Sequence, residues 1–151
     1  MPVNNLNKIL VVEDNDNDLE LTIDALSEYN MANYIDIARD GQEAMDYLHK
    51  KGKFEGRENG NPVVILLDLK LPKKSGQEVL DEIKSSEKFK SIPVVILTSS
   101  KEESDLVNSY QKGVNAYVVK PVGFHDFVDA VKNLGVFWAL INETPRKPLE
   151  N

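Results

Sequence analysis

Four short apolar runs, each closed by a residue with chemistry of its own, constrain this chain more than any other feature. Ile9-Leu10-Val11-Val12 leads into Glu13 and Asp14, and Val63-Val64-Ile65-Leu66-Leu67 into Asp68. Val94-Val95-Ile96-Leu97 leads into Thr98, and Tyr117-Val118-Val119 into Lys120-Pro121. Unbroken runs of aliphatic and β-branched side chains suit strands buried on both faces. Between them lie segments with helical spacing. Asn17 to Tyr29 carries Leu19, Ile23 and Leu26, and Tyr34 to Ala38 reads as one further short strand.

Asp40 with Glu43, Ser75 with Glu78 and Ser100 with Glu103 each show the capping-box pattern that opens a helix. The inner faces expected are Ala44, Tyr47 and Leu48, then Val79, Leu80 and Ile83, then Leu106, Val107 and Tyr110, with Gly113 placed to end that helix. A last helix is expected from about His125 toward Ile141, with Phe127, Val128, Val131 and Leu134 inward. Strands alternating with helices imply a parallel sheet covered on both faces. In such sheets the carboxyl ends of the strands share one rim, where ligands bind. That rim would gather three acids, one hydroxyl and one amine.

The bulk properties narrow the function. The 151 residues fit one domain, expected over residues 1–142, with a flexible proline-containing tail at 143–151. A net charge of −7 argues against broad nucleic-acid binding and against anionic lipid. The absence of cysteine excludes disulfides, zinc thiolate sites and thiol catalysis. No apolar stretch is long enough to cross a membrane, and Met1 to Lys8 lacks a signal-peptide core, so a cytoplasmic location is expected. Lys50 to Asn61 is charged, glycine-rich and without periodicity, which reads as a mobile surface loop. Phe137-Trp138-Ala139-Leu140-Ile141 either packs on its own sheet or forms a partner surface. His49 and His125 read as helix-surface residues.

Clustered carboxylates repel one another unless a cation neutralises them. Magnesium suits such a set, because it accepts a few carboxylates and keeps several waters. With a metal present, Asp68 could attack phosphorus as a nucleophile. Lys120 and Thr98 would then hold phosphoryl oxygens by charge and by hydrogen bond. Taken singly, each group has an ordinary reading: a cap at Asp68, capping types in Asn15-Asp16-Asn17-Asp18, turns at Thr98 and at Lys120-Pro121. Their joint placement at four strand ends favours the site.

Over Lys8 to Leu134 the chain resembles the receiver domain of bacterial two-component response regulators. The resemblance implies a flavodoxin-like, three-layer α/β fold with a five-stranded parallel sheet of order 2-1-3-4-5 and five helices. It implies Asp68 as phosphoacceptor, with Mg2+ held by Glu13, Asp14, Asp68 and the backbone carbonyl of Lys70. It implies Thr98 and Lys120 as the hydroxyl and amine of that family's site, and Tyr117 as its aromatic switch. Lys120-Pro121 corresponds to a cis peptide, and Leu71-Pro72 with Gly76 to the turn after the phosphoacceptor. The Lys50 to Asn61 loop and the apolar carboxyl-terminal helix resemble the stand-alone receivers that serve phytochromes.

The function implied is a stand-alone receiver that takes a phosphoryl group from a histidine kinase or phosphotransfer domain and switches a protein-binding surface. It would catalyse only its own phosphorylation and dephosphorylation. Its expected partners are a sensor histidine kinase, phytochrome-like, or a histidine phosphotransfer protein, and a second copy through the carboxyl-terminal side. A phosphatase or phosphotransferase would carry a second carboxylate two residues after the nucleophile, where this chain has Lys70. A nucleotide- or flavin-binding domain would need a phosphate-cradling loop where this chain has Glu13-Asp14-Asn15-Asp16.

Overall fold

The computed structural model describes residues 8–27, 35–58, 60–99 and 116–134. In chain order the elements are β1 (Ile9–Val12), α1 (Asp16–Ser27), β2 (Ile35–Ala38), α2 (Gly41–His49), a 3-10 turn (Gly52–Phe54), β3 (Val64–Asp68), α3 (Gly76–Lys84), β4 (Val94–Thr98), β5 (Ala116–Val119) and α4 (Phe124–Leu134). The strands form one five-stranded sheet of order β2-β1-β3-β4-β5. Every pairing is parallel.

Strand periodicity explains how the two layers of helix are held. All residues of β1, β3 and β4 are buried, and successive side chains point to opposite faces. Leu10, Val12, Ile65, Leu67, Val94 and Ile96 join one core with Ala44, Tyr47 and Leu48 of α2 and Val79, Leu80 and Ile83 of α3. Ile9, Val11, Val64, Leu66, Val95 and Leu97 join the other with Leu19 and Leu26 of α1 and Phe127 of α4. The inner faces expected of α2 and α3 are therefore the ones observed. Val128 is half-buried in α4.

The Ser75 capping box is complete: its hydroxyl accepts from the Glu78 N–H at 3.1 Å, and the Glu78 carboxylate accepts from the Ser75 N–H at 2.9 Å. The Asp40 box is altered. Asp40 accepts from the Glu43 N–H at 2.7 Å, but Glu43 reaches past the cap to the Arg39 N–H at 2.8 Å.

One expectation is corrected. Lys50 to Asn61 lacks periodicity but is anchored to the domain. Arg57 stacks on the Tyr47 ring at 3.8 Å and donates to the Tyr47 carbonyl through Nε and Nη2 at 3.1 and 2.7 Å. Phe54 packs edge-on against the same ring at 5.1 Å, and the Asn61 amide donates to the Lys88 carbonyl at 3.1 Å. The expected helix after Ser100, the Phe137 to Ile141 patch and the 143–151 tail lie outside the described residues, as do Tyr34 and the end of α1 expected at Tyr29. His49 is exposed at the end of α2, and His125 is exposed near the start of α4, as expected.

Candidate metal and phosphoryl site

The parallel register brings the strand ends to one rim. Glu13 follows β1 directly, is fully buried, and donates its N–H to the Ala38 carbonyl at 3.0 Å. Asp68 is the last residue of β3 and is also buried. Asp14 is exposed. The ligand oxygens of Glu13, Asp14 and Asp68 all lie within 4.8 Å of one another.

The backbone around Asp68 leaves little freedom. Its Oδ1 accepts from the Lys70 N–H at 3.2 Å. The Gly76 N–H donates to the Leu69 carbonyl at 3.0 Å, which presses the start of α3 against the same turn. A Cβ on Gly76 would overlap the Asp68 carbonyl oxygen and come within 2.6 Å of Leu69 Cα. Glycine stands there because only hydrogen fits.

Lys120 follows the edge strand β5 and reaches the rim from there. Its N–H donates to the Thr98 carbonyl at 2.7 Å, and its peptide bond to Pro121 is cis. Its ammonium lies 3.3 Å from Glu13 Oε1, 3.3 Å from Asp68 Oδ2 and 2.9 Å from Asp18 Oδ2. Thr98 is buried at the end of β4, one residue beyond the Leu97 that pairs with Asp68.

Burial pushes the Glu13 carboxyl up to about 7, and its hydrogen bond to Asp68 and the charge there push in the same direction. Lys120 and the Asn15 N–H oppose that shift without cancelling it. Burial would lower the Lys120 ammonium, but its hydrogen bond to Asp18 and the charges of Asp68, Glu13 and Asp18 hold it above its ordinary range. One ammonium thus faces an excess of carboxylates. Hard oxygen donors with uncompensated negative charge fit a divalent cation such as magnesium or manganese. Among the described residues no other group of three such side chains converges in this way.

The structure therefore brings Glu13, Asp14, Asp68 and Lys120 together, attaches Lys70 to Asp68 through its N–H, and sets Thr98 at the adjoining strand end. Tyr117 is 38% exposed on β5 with Val119, while Val118 between them turns inward.

Asp18 is the site residue that sequence reasoning missed. The Asn15 to Asp18 stretch reads as capping residues, and Asn15 does fill that role, its side chain accepting from the Asp18 N–H at 2.8 Å. No local signal marks Asp18 as a site residue, because its partner Lys120 lies 102 positions along the chain.

The chain is similar to known receivers. The response regulator receiver domain model matches residues 9–132. Response regulator Rcp1 of Synechocystis sp. is 42% identical over 130 residues, 86% of this chain and 87% of Rcp1. A solved structure of Rcp1 is of its Mn(2+)-bound form, with a TM-score of 0.69 at 37% identity, covering 94% of this chain and 99% of that one. The bacteriophytochrome response regulator RtBRR has a TM-score of 0.86 at 58% identity, covering 93% of this chain and 84% of that one. The phosphorylated cyanobacterial phytochrome response regulator RcpA has a TM-score of 0.70 at 42% identity, covering 88% and 94% respectively. Receivers of this kind are phosphorylated on aspartate and work with histidine kinases or phosphotransfer proteins. With the family match running from β1 into α4, this chain belongs to the response regulator receiver domain family of two-component systems, among relatives of the phytochrome response regulators.

Proposed function

We propose that Asp68 is the phosphoacceptor, and that it is loaded in the presence of Mg2+ held by Glu13, Asp14, Asp68 and the Lys70 carbonyl. The single observation behind this reading is the convergence of the acidic trio under the Lys120 ammonium. An Asp68 oxygen forms the bond to phosphorus as the phosphorus–nitrogen bond of a phosphohistidine breaks, and the nitrogen's electron pair returns to the imidazole. A bound divalent cation supplies positive charge that offsets the trio and the phosphoryl oxygens. Lys120 supplies a second positive charge beside Asp68, and the Thr98 hydroxyl donates to a phosphoryl oxygen. Tyr117, exposed on β5, then shifts between two surface states.

The donor is a sensor histidine kinase of phytochrome type or a histidine phosphotransfer protein, a reading supported by the 58% identity to a bacteriophytochrome response regulator. The chain acts as a phosphoacceptor that catalyses only its own phosphorylation and dephosphorylation. Residues 1–142 form the receiver, residues 143–151 are its tail, and a homodimer through the carboxyl-terminal side rests on the Phe137 to Ile141 sequence. The chain's action is placed in the cytoplasm; no helix among the described residues is long and apolar enough to cross a membrane.

The test is phosphorylation by acetyl phosphate followed by mass spectrometry of the peptides. The expected result is one Mg2+-dependent phosphoryl adduct that Asp68→Asn abolishes while the circular dichroism spectrum is kept. Full labelling of the Asp68→Asn protein overturns the assignment.

A further inference from the structure

An ammonium has three N–H donors. Lys120 has three carboxylates within reach, and they differ in kind. Glu13 and Asp68 belong to the trio whose ligand oxygens converge, and Asp18 does not. Asp18 stands in the first turn of α1 with its side chain 31% exposed, whereas Glu13 and Asp68 are buried. Asn15 caps the helix by accepting the Asp18 N–H, so the Asp18 carboxylate is left to face Lys120. The shortest of the three contacts, 2.9 Å against 3.3 Å, is thus made to the carboxylate outside the trio.

We infer that Asp18 is a positioning residue that holds the Lys120 ammonium from outside the acidic trio, leaving the Glu13 and Asp68 oxygens available to a divalent cation while Lys120 stays in the site. The inference rests on the reading of the trio as a cation site. A cation and an ammonium repel each other and compete for the same two carboxylates. With Asp18 present, Lys120 keeps a counter-charge when Glu13 and Asp68 turn their oxygens elsewhere. With Asp18 neutral, the ammonium depends on Glu13 and Asp68 alone, and cation entry has to displace it. Asp18 also adds negative charge nearby, which by itself would favour a cation. The two effects separate in a protein that lacks the ammonium.

The experiment is a calorimetric Mg2+ titration of the full chain as the parent, Asp18→Asn, Lys120→Met and the double variant, with Asp18→Ser as a second neutral replacement. Action through Lys120 predicts that Asp18→Asn weakens Mg2+ binding about 5-fold in the parent and less than about 2-fold beside Lys120→Met. Asp18→Glu, which keeps the charge, should recover most of the parent affinity. Equal weakening in both backgrounds would reduce Asp18 to a distant charge and overturn the inference. Unchanged binding in Asp18→Asn and Asp18→Ser overturns it as well, while the cation site stands. A parent protein that binds no Mg2+ overturns the cation reading and this inference with it.

Discussion

Two clusters of polar and charged side chains lie in this domain, one on the carboxyl rim and one around Tyr47, and they are built on opposite plans. Around Tyr47 each group meets a partner that suits it. The fully buried Tyr47 donates its hydroxyl to Asp36 at 2.5 Å, and Asp36 also pairs with Lys8 at 3.4 Å. Arg57 covers the ring and binds the Tyr47 carbonyl. Burial, the hydrogen bond to Asp36 and its charge push the Tyr47 hydroxyl well above its ordinary range, so it remains a donor. On the rim, Glu13, Asp14, Asp18 and Asp68 crowd one Lys120. The first cluster is a clip that closes the Lys50 to Asn61 segment onto α2. The second keeps a charge deficit that a ligand can settle, as functional sites commonly do.

The contrast breaks most visibly at Tyr47. Tyr47→Ala removes a buried ring together with the surface under Arg57 and Phe54, and should destabilise the fold by about 3–5 kcal/mol. Denaturant unfolding checks the loss, and Asp68 should still be labelled by acetyl phosphate well below the melting temperature. Loss of labelling in a folded Tyr47→Ala protein would mean that the two clusters are coupled.

Gly76→Ala should show a mixed effect, because the new methyl meets the backbone of Asp68 and Leu69. A destabilisation of about 2 kcal/mol with slower labelling is expected, since a packed backbone must shift. Stability loss without any change in labelling would show that the turn after Asp68 tolerates movement.

A third effect is a pH dependence spread over several pH units. The Glu13 carboxyl is raised from 4.5 to about 7 in the folded chain, so the folded state binds its proton more tightly than the unfolded state does. In EDTA, stability should therefore fall as pH rises from about 4.5 to about 7. Glu13→Gln should flatten that slope, and melting curves across the window would show whether it does.

The parts of this molecule that were legible in its sequence are the local and the fully buried ones. The runs at β1, β3 and β4 announce strands because both faces are apolar, and their closing residues follow from strand direction alone. The Ser75 capping box spans three residues, so the sequence displays it whole. Asp18 was not legible because its partner Lys120 is 102 positions away, and nothing near Asp18 reveals which carboxylate the lysine chooses. The anchoring of Lys50 to Asn61 was hidden for a related reason. It depends on Arg57 reaching back ten residues to a carbonyl, and a carbonyl has no sequence signature. At Asp40 the pattern was correct and the partner was not, since Glu43 reaches Arg39 instead of the cap itself.

The charge deficit of the rim is measured most directly by thermal melting of the parent and of Asp68→Asn, each in EDTA and in Mg2+. Removing one of several crowded carboxylates relieves repulsion, while a ligand bound only by the folded state raises its stability. The expected result is that Asp68→Asn melts above the parent in EDTA, and that Mg2+ raises the melting temperature of the parent much more than that of the variant. An Asp68→Asn protein that melts below the parent in EDTA and gains as much from Mg2+ would contradict it.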